Sequence, residues 1–374
     1  MQELGDIMNI PHLISSPRAV EIALTKYCNL SCLYCSYADE TVHDRDDLPT
    51  DVWVHYFKEL EDCKVMNVVL TGGEIFCRDD VFSLIESIVQ HKMRFTVLSN
   101  GTLITKDIAS FLVNTKRFNK IQISVDGSNP NAQDPVCGEK SFMHALRGLR
   151  CVIEAGAPVT VRVTITPINA GDIKNICELL LQVNVKHFSV VEALPYGDGF
   201  KNNKYLTLSA TQRNKLVNDL VDFDNLHPGV IIGQAGPLIE YKMKMAAINT
   251  LTTGVPFPYS GAGFLSGCKC ANTRISVTHD GYYIPCYYLS SFKLGHIREH
   301  SLLEVWRNSV PLNRLRTRHR IPLKDTEFCK DCIYTHVCTG NCPGLAYVLT
   351  GDLDHACPVR CNRSEYERMA TNER

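Results

Sequence analysis

TKYCNLSCLYCSY, residues 25–37, follows directly on the apolar run 19–24 and carries Cys28, Cys32 and Cys35 in the spacing C-x3-C-x2-C. Three thiols is an informative count. Structural zinc takes four closed ligands, and this spacing is not a usual zinc knuckle. A four-iron cluster held by three thiolates leaves one iron without a protein ligand, open to chelation by a small molecule. A triplet placed where a strand ends therefore predicts a chemistry-bearing loop at the C-terminal edge of a parallel sheet.

Working outward from this loop, short β-branched or apolar runs alternate with amphipathic stretches as far as residue 195. Strands are expected at 19–24, 67–70, 95–98, 121–125, 159–165 and 187–191, and helices at 51–63, 79–91, 142–155 and 172–183, with Asp51 and Asp172 as capping residues. Six βα units predict an α/β fold, a partial (β/α)6 barrel rather than a closed eight-stranded one. From 196 to 267 the pattern loosens into a bridging region with one helix at 209–223. Residues 268–374 form a cysteine-rich domain that opens on a hairpin about Asp280-Gly281 and continues in short helices, the first starting at Ser301 with Glu304 in capping-box spacing.

The chain has 374 residues, more than the 250–300 or so at which single cores stop growing, so two domains are expected. No apolar run approaches the ~20 residues of a membrane span. The first residues show no secretory pattern, which gives a cytoplasmic expectation. Lys+Arg 39 against Asp+Glu 40 leaves no basic excess to draw the chain to nucleic acid. The 17 cysteines are the anomaly. In a reducing compartment they point to metal or catalysis. Cys63, Cys77, Cys137, Cys151 and Cys177 are scattered and read as packing residues.

The cysteine triplet, with Tyr34 before its third member, resembles the signature of the radical S-adenosylmethionine (SAM) superfamily. The resemblance continues in order along the chain: Gly72-Gly73-Glu74 after the second strand, Ser99-Asn100-Gly101 after the third and Ser124-Val125-Asp126-Gly127 after the fourth. It implies a SAM-binding 4Fe-4S cluster on Cys28, Cys32 and Cys35. It also implies SAM contacts from Tyr34, Gly72, Gly73, Glu74, Ser99, Asn100, Ser124 and Asp126, with Arg147 or Arg162 as further candidates for its carboxylate. The implied chemistry is reductive cleavage of SAM to a 5'-deoxyadenosyl radical that takes a hydrogen atom from substrate.

Cys270, then Gly281-x4-Cys286, then Cys329-x2-Cys332-x5-Cys338-x3-Cys342, then Cys357 and Cys361 resemble the SPASM domain, an extension of radical SAM enzymes that carries two auxiliary 4Fe-4S clusters. The resemblance implies three clusters in all. Cys286 and Cys342 join Cys268 or Cys270 in the first auxiliary cluster; Cys329, Cys332 and Cys338 join a late cysteine in the second. Cys357 is the family's choice there, and Cys361 is the alternative.

Anaerobic sulfatase-maturating relatives carry an Asp directly after the hairpin cysteine, where this chain has Tyr287, which argues against formylglycine formation. The expected activity is maturation of a ribosomally made peptide by a crosslink or related modification; the alternative is small-molecule or cofactor biosynthesis, on a tetrapyrrole or sugar. No catalytic base is assigned. The expected partners are the peptide substrate, an electron donor of flavodoxin or ferredoxin type, and a separate leader-binding protein, because only about 18 residues precede the first strand. The basic run 314–320 reads as a solvated helix face or a dock for an acidic leader.

Overall fold

The computed structural model describes residues 14–35, 47–194, 202, 206–233, 235–266, 270–361 and 363. Cys268 lies outside the described residues. Two compact units emerge, one within 19–240 plus 277–281 and the other within 1–18, 241–276 and 282–374.

The first unit is built on six strands: β1 (Ala19–Thr25), β2 (Asn67–Gly72), β3 (Arg94–Ser99), β4 (Phe118–Ser124), β5 (Val159–Ile165) and β6 (Phe188–Glu192). Each pairs in parallel with the next. Helices cross between them: α1 (Thr50–Asp62), α2 (Val81–Gln90), α3 (Lys106–Asn114), α4 (Pro130–Cys137) with α5 (Ser141–Glu154), and α6 (Ile173–Gln182). This is the partial (β/α)6 arrangement expected from the sequence. Parallel pairing of consecutive strands requires such crossovers, and it gathers every strand's C-terminal end at one edge.

Inward-facing residues of the strands, such as Val20, Ile22, Leu24, Leu70, Phe95, Val97, Ile121, Ile123, Val161 and Val163, are fully buried. Each such side chain stabilises the fold by about 1.5–3 kcal/mol. Helix α1 covers the sheet with Trp53, Tyr56, Phe57 and Leu60, one stripe at helical spacing. The expected caps differ. Helix α1 begins one residue earlier than expected, with Pro49 at its N-cap and Asp51 in its first turn. Asp172 precedes α6, but its carboxylate accepts from the Ser128 amide (2.8 Å) and hydroxyl (2.9 Å) and so braces the loop after β4 instead.

Three helices, α3, α4 and one in the bridging stretch, were not among those expected. Helix α4 contains Pro135 yet forms, because Pro130 sits at its first turn and Asn129 caps the Asn131 amide (3.0 Å). After α7 (Ala210–Leu226), which carries a full capping box at Ser209 and Gln212, comes α8 (Pro237–Thr253). The division between the units falls inside α8, so each unit takes part of the bridging stretch.

The second unit holds β7 (Arg274–Val277), β8 (Tyr282–Ile284) and β9 (Gly295–His296), with β8 and β9 antiparallel. Helices α9 (Leu302–Asn308), α10 (Val310–Thr317) and α11 (Pro343–Thr350) follow. Cysteines are part of its apolar packing: Leu265, Leu323, Cys329 and Ala356 pack with Ile321 and Cys338.

Candidate active site and iron–sulfur ligand sets

The loop after β1 sits at the C-terminal edge of the sheet and carries the half-buried Cys28, Cys32 and Cys35. Gly72 and Gly73 lie directly on the backbone at its root. Their amides extend the strand pairing, the Gly73 and Glu74 N–H groups donating to the Thr25 and Tyr27 carbonyls at 2.8 Å each. A Cβ on Gly73 would stand 2.1 Å from the Tyr27 carbonyl oxygen and one on Gly72 2.2 Å from that of Thr25. Only glycine permits this approach, so the first task of the pair is to seat the cysteine loop.

Glu74 is fully buried. Its carboxylate accepts from the Ser99 hydroxyl (3.0 Å to each oxygen), the Asn100 amide (2.8 Å) and the Phe76 amide (3.2 Å). Burial nevertheless outweighs these donors and pushes the carboxyl up to about 7. Glu74 thus ties the end of β2 to the end of β3. Asn100, half-buried, donates to the Cys28 sulfur (3.7 Å) and to Asn29 (2.9 Å), while Asn29 donates to Thr102 (2.8 Å). Cys77, read from sequence as packing, is on this rim, 3.9 Å from Asn29 Oδ1.

Tyr34 is fixed from below. Its hydroxyl donates to Asp126 Oδ2 and lies 3.5 Å from the Cys137 sulfur. Asp126, 1% exposed, also accepts from the Thr164 amide (2.6 Å) and the Cys137 thiol (3.5 Å). Asp126 is therefore occupied inside the protein and positions Tyr34. Helix α4 supplies further anchors: the Leu33 amide donates to the Val136 carbonyl (2.9 Å) and the Cys32 thiol reaches the Cys137 carbonyl (3.9 Å). Cys137 is more than core filling; its signal in the sequence was only its position eleven residues after Asp126. Ser124 ends β4 half-buried, opposite Arg162 of β5. Arg147 donates to the Thr102 carbonyl (3.0 Å).

Burial is the largest influence on Cys28. With the charges of Glu74, Cys32 and Cys35 it pushes the thiol up to about 12, against the Leu30 amide that donates to its sulfur. A place that disfavours negative charge yet brings three thiols within mutual influence suits iron, which replaces the protons with positive charge. Three thiols on one short loop are donors of the kind an iron–sulfur cluster takes.

In the second unit two sets of thiols are distinguishable. Cys342 caps α11, its sulfur accepting from the Leu345 amide (3.5 Å). Cys286 comes to the same turn: a Cβ on Gly344 would stand 3.5 Å from its sulfur and 2.7 Å from Tyr288 Cβ. Pro343, between Cys342 and Gly344, lines a cavity of about 190 Å³ together with Cys270 and the buried Arg316. The Nη2 of that arginine is buried with no hydrogen-bond partner among the described residues. In the other set, Cys329 and Cys338 each feel the charges of Cys332 and Cys361, and burial pushes Cys338 up to about 11. It is the exposed Cys361 that bears on this set, whereas Cys357, the residue the resemblance selects, is 1% exposed and donates its amide to the Gly340 carbonyl. Among the described residues no three His, Cys, Asp or Glu side chains close around a single ion.

The basic run is solvated only in part, Arg314, His319 and Arg320 being exposed. Arg316 and Arg318 are buried, and Arg314 pairs with Asp354 at 2.8 Å. Glu192, the last residue of β6, is bound to Arg213 (2.8 Å), which also holds Glu240 (2.8 Å). Among the described residues no helix is long and apolar enough to cross a membrane.

Residues 22–180 match the model of the radical SAM superfamily, and residues 268–333 match that of the SPASM iron–sulfur cluster-binding domain. An AdoMet-dependent heme synthase of Methanosarcina barkeri is 25% identical over 91% of this chain and 95% of its own length. A PqqA peptide cyclase of Methylocella silvestris is 24% identical over 97% and 92%. The crystal structure of Streptococcus suis SuiB bound to S-adenosylmethionine superposes with a TM-score of 0.71 at 17% identity, covering 96% of this chain and 80% of that one, and so shares its fold. The sheet edge with its three thiols and the thiol-rich second unit are what these two families combine, and the chain is a radical SAM enzyme with a SPASM domain, using SAM and iron–sulfur clusters.

Proposed function

We propose that this enzyme is a peptide maturase that takes a hydrogen atom from a ribosomally made peptide and installs a crosslink or related modification. The observation that carries this reading is the similarity to a PqqA peptide cyclase along 97% of the chain. It is supported by the shared fold with SuiB, a protein crystallised with its precursor peptide SuiA. The domain organisation we infer is a SAM-binding barrel over 1–195, a bridging region over 196–267 and an auxiliary-cluster domain over 268–374.

In this reading Cys28, Cys32 and Cys35 hold the cluster that binds SAM. Bound there, cluster and SAM supply reductive cleavage of the sulfonium and a 5'-deoxyadenosyl radical. The protein's contribution is placement. Gly72 and Gly73 seat the cysteine loop, Glu74 locks Ser99 and Asn100 beside it, and Asp126 fixes Tyr34; Ser124 and Asn100 remain the half-buried polar groups at the strand ends able to face the cofactor. Two auxiliary 4Fe-4S clusters complete a set of three. Cys270, Cys286 and Cys342, with Cys268 as the open fourth choice, hold one; Cys329, Cys332, Cys338 and Cys361 hold the other. An electron donor of flavodoxin or ferredoxin type and a separate leader-binding protein complete the system.

The similarity to a heme synthase favours a second reading, chemistry on a tetrapyrrole or other small molecule. One experiment separates them. Reduced enzyme with SAM is given peptides encoded beside its gene and, separately, haem precursors. A peptide mass lowered by two hydrogen atoms per crosslink, with matching 5'-deoxyadenosine, supports maturation; turnover of the haem precursor with peptides unchanged overturns it.

A further inference from the structure

Arg316 is 1% exposed and is the third largest of the fully buried side chains of the protein. Its Nε donates to the Ala271 carbonyl (2.8 Å), and its Nη1 to the Trp306 carbonyl (2.6 Å) and to Asn313 Oδ1 (2.7 Å). The guanidinium lies over the Trp306 ring, 4.3 Å from its centroid. Nη2 is buried with no hydrogen-bond partner among the described residues. All of the accepting groups are neutral oxygens, and no carboxylate pairs with Arg316 among the described residues. Its neighbour Arg318, by contrast, has Asp354 at 3.8 Å. Burial pulls the guanidinium down to about 10, which still leaves it charged at neutral pH.

A buried cation with neutral partners and a spare donor is costly unless a negative group offsets it. Such a group has a place. Arg316 lines the cavity of about 190 Å³ with Cys270, Pro343, Ser266 and Asn272. Ala271, whose carbonyl Arg316 holds, follows Cys270 directly and is kept in the left-handed region at φ 63°, a conformation that needs outside support in a residue other than glycine. Cys342 and Cys286 meet at the first turn of α11, of which Pro343 is the first residue. The arginine therefore does two things at once: it fixes the backbone beside Cys270, and it brings a positive charge to the cavity that Cys270 lines together with Pro343, the neighbour of Cys342.

We propose that Arg316 is the positive wall of the first auxiliary cluster, positioning Cys270 through Ala271 and raising the cluster's reduction potential by its charge. The inference rests on the reading that Cys270, Cys286 and Cys342 hold a cluster. A net negative cluster gains one more negative charge on reduction, so a fixed cation a short way off favours the reduced form. Arg318 and His319 also line the cavity, but the carbonyl of His355 and Asp354 hold Arg318, and His319 lies at the surface.

The test is a redox titration of the full-length, anaerobically reconstituted enzyme, followed by electron paramagnetic resonance. In R316M the reduced-to-oxidised ratio of that cluster at a fixed potential should fall about tenfold, equivalent to about 59 mV for one electron, while R316K, which keeps the charge, stays close to wild type. An unchanged midpoint in R316M with full iron overturns the proposal. Because Arg316 also braces the fold, a second measurement is made on wild-type protein, with the charge-keeping R316K as its control. With 15N-labelled arginine, the reduced auxiliary cluster should show coupling to arginine nitrogen that R316K removes, and absence of that coupling in wild type equally overturns it. Iron analysis keeps the two readings apart: wild type with iron for only two clusters refutes the ligand set itself, whatever Arg316 does.

Discussion

Replacing Tyr34 by Phe removes one atom and tests whether the cysteine loop is held as described. The hydroxyl donates to a carboxylate that is 1% exposed and whose other donors are one amide and one thiol. A hydrogen bond to a buried charged group contributes about 1.5–3 kcal/mol, against about 0.5–1.5 for a neutral one. Taking 2 kcal/mol, and about 2–4 °C per kcal/mol for a unit of this size, the midpoint of thermal unfolding of the barrel should fall by about 4–8 °C. The pH dependence follows from Asp126. Burial pushes its carboxyl from 3.8 up to about 6. A folded value above the unfolded one means that its contribution is full at low pH and is lost as pH rises through about 6. Above 6 the phenol stabilises an ion and below it a neutral acid, so the penalty of Tyr34→Phe should be larger at about pH 8 than at about pH 5. A double-mutant cycle with Asp126→Asn isolates the pair, and Asn can still accept from the Thr164 amide. Coupling of about 1.5–3 kcal/mol is expected, with loss of signal from the first cluster and no loss from the auxiliary ones. Additivity within about 0.5 kcal/mol, or a penalty insensitive to pH, would refute the anchoring role.

Glu74 gives a second pH signature: its carboxyl lies at about 7 against an ordinary 4.5, because burial disfavours the ion. At about 1.36 kcal/mol per pKa unit the gap amounts to about 3 kcal/mol, present below about 4.5 and lost as pH rises through 7, so SAM-free enzyme should melt lower at about pH 8 than at about pH 5.5. Glu74→Gln should flatten that difference, and an unaltered slope would remove Glu74 as its source. In the second unit, Cys361→Ala should cost about a third of the total iron by counting four-iron units, whereas Cys357→Ala should keep it. The reverse result would restore Cys357 as the ligand.

The six parallel strands were legible because apolar runs alternate with helical stripes, and the positions of the cysteine triplet, Gly72-Gly73-Glu74 and Ser99-Asn100 at strand ends follow from that order alone. Helix α8, PLIEYKMKMAAINTLTT, escaped because its apolar residues are spread around the axis instead of forming one stripe, and α4 because two prolines conceal a helix that starts on one of them. Side-chain direction was less legible still. Asp126 and Glu74 look like ligand-facing carboxylates in one dimension, yet both point into the protein, since a strand end has two faces and sequence spacing does not tell which one a residue takes. Arg316 and Arg318 looked like a surface run for a related reason: a charged residue is buried only where distant groups receive it, here Ala271, Trp306 and His355. Nor does spacing show that the exposed Cys361 bears electrostatically on Cys329 and Cys338 while Cys357 is buried.

The most direct test of the whole account is simultaneous measurement of iron and of 5'-deoxyadenosine in the enzyme with Cys28, Cys32 and Cys35 all changed to Ala. Reduced with dithionite and supplied with SAM, this variant should form no 5'-deoxyadenosine and yet retain about two-thirds of the wild-type iron by counting four-iron units, because the auxiliary thiols of the second unit are intact. Continued 5'-deoxyadenosine formation, or loss of all the iron, would contradict the assignment of SAM cleavage to the loop after β1 and of the remaining clusters to the second unit.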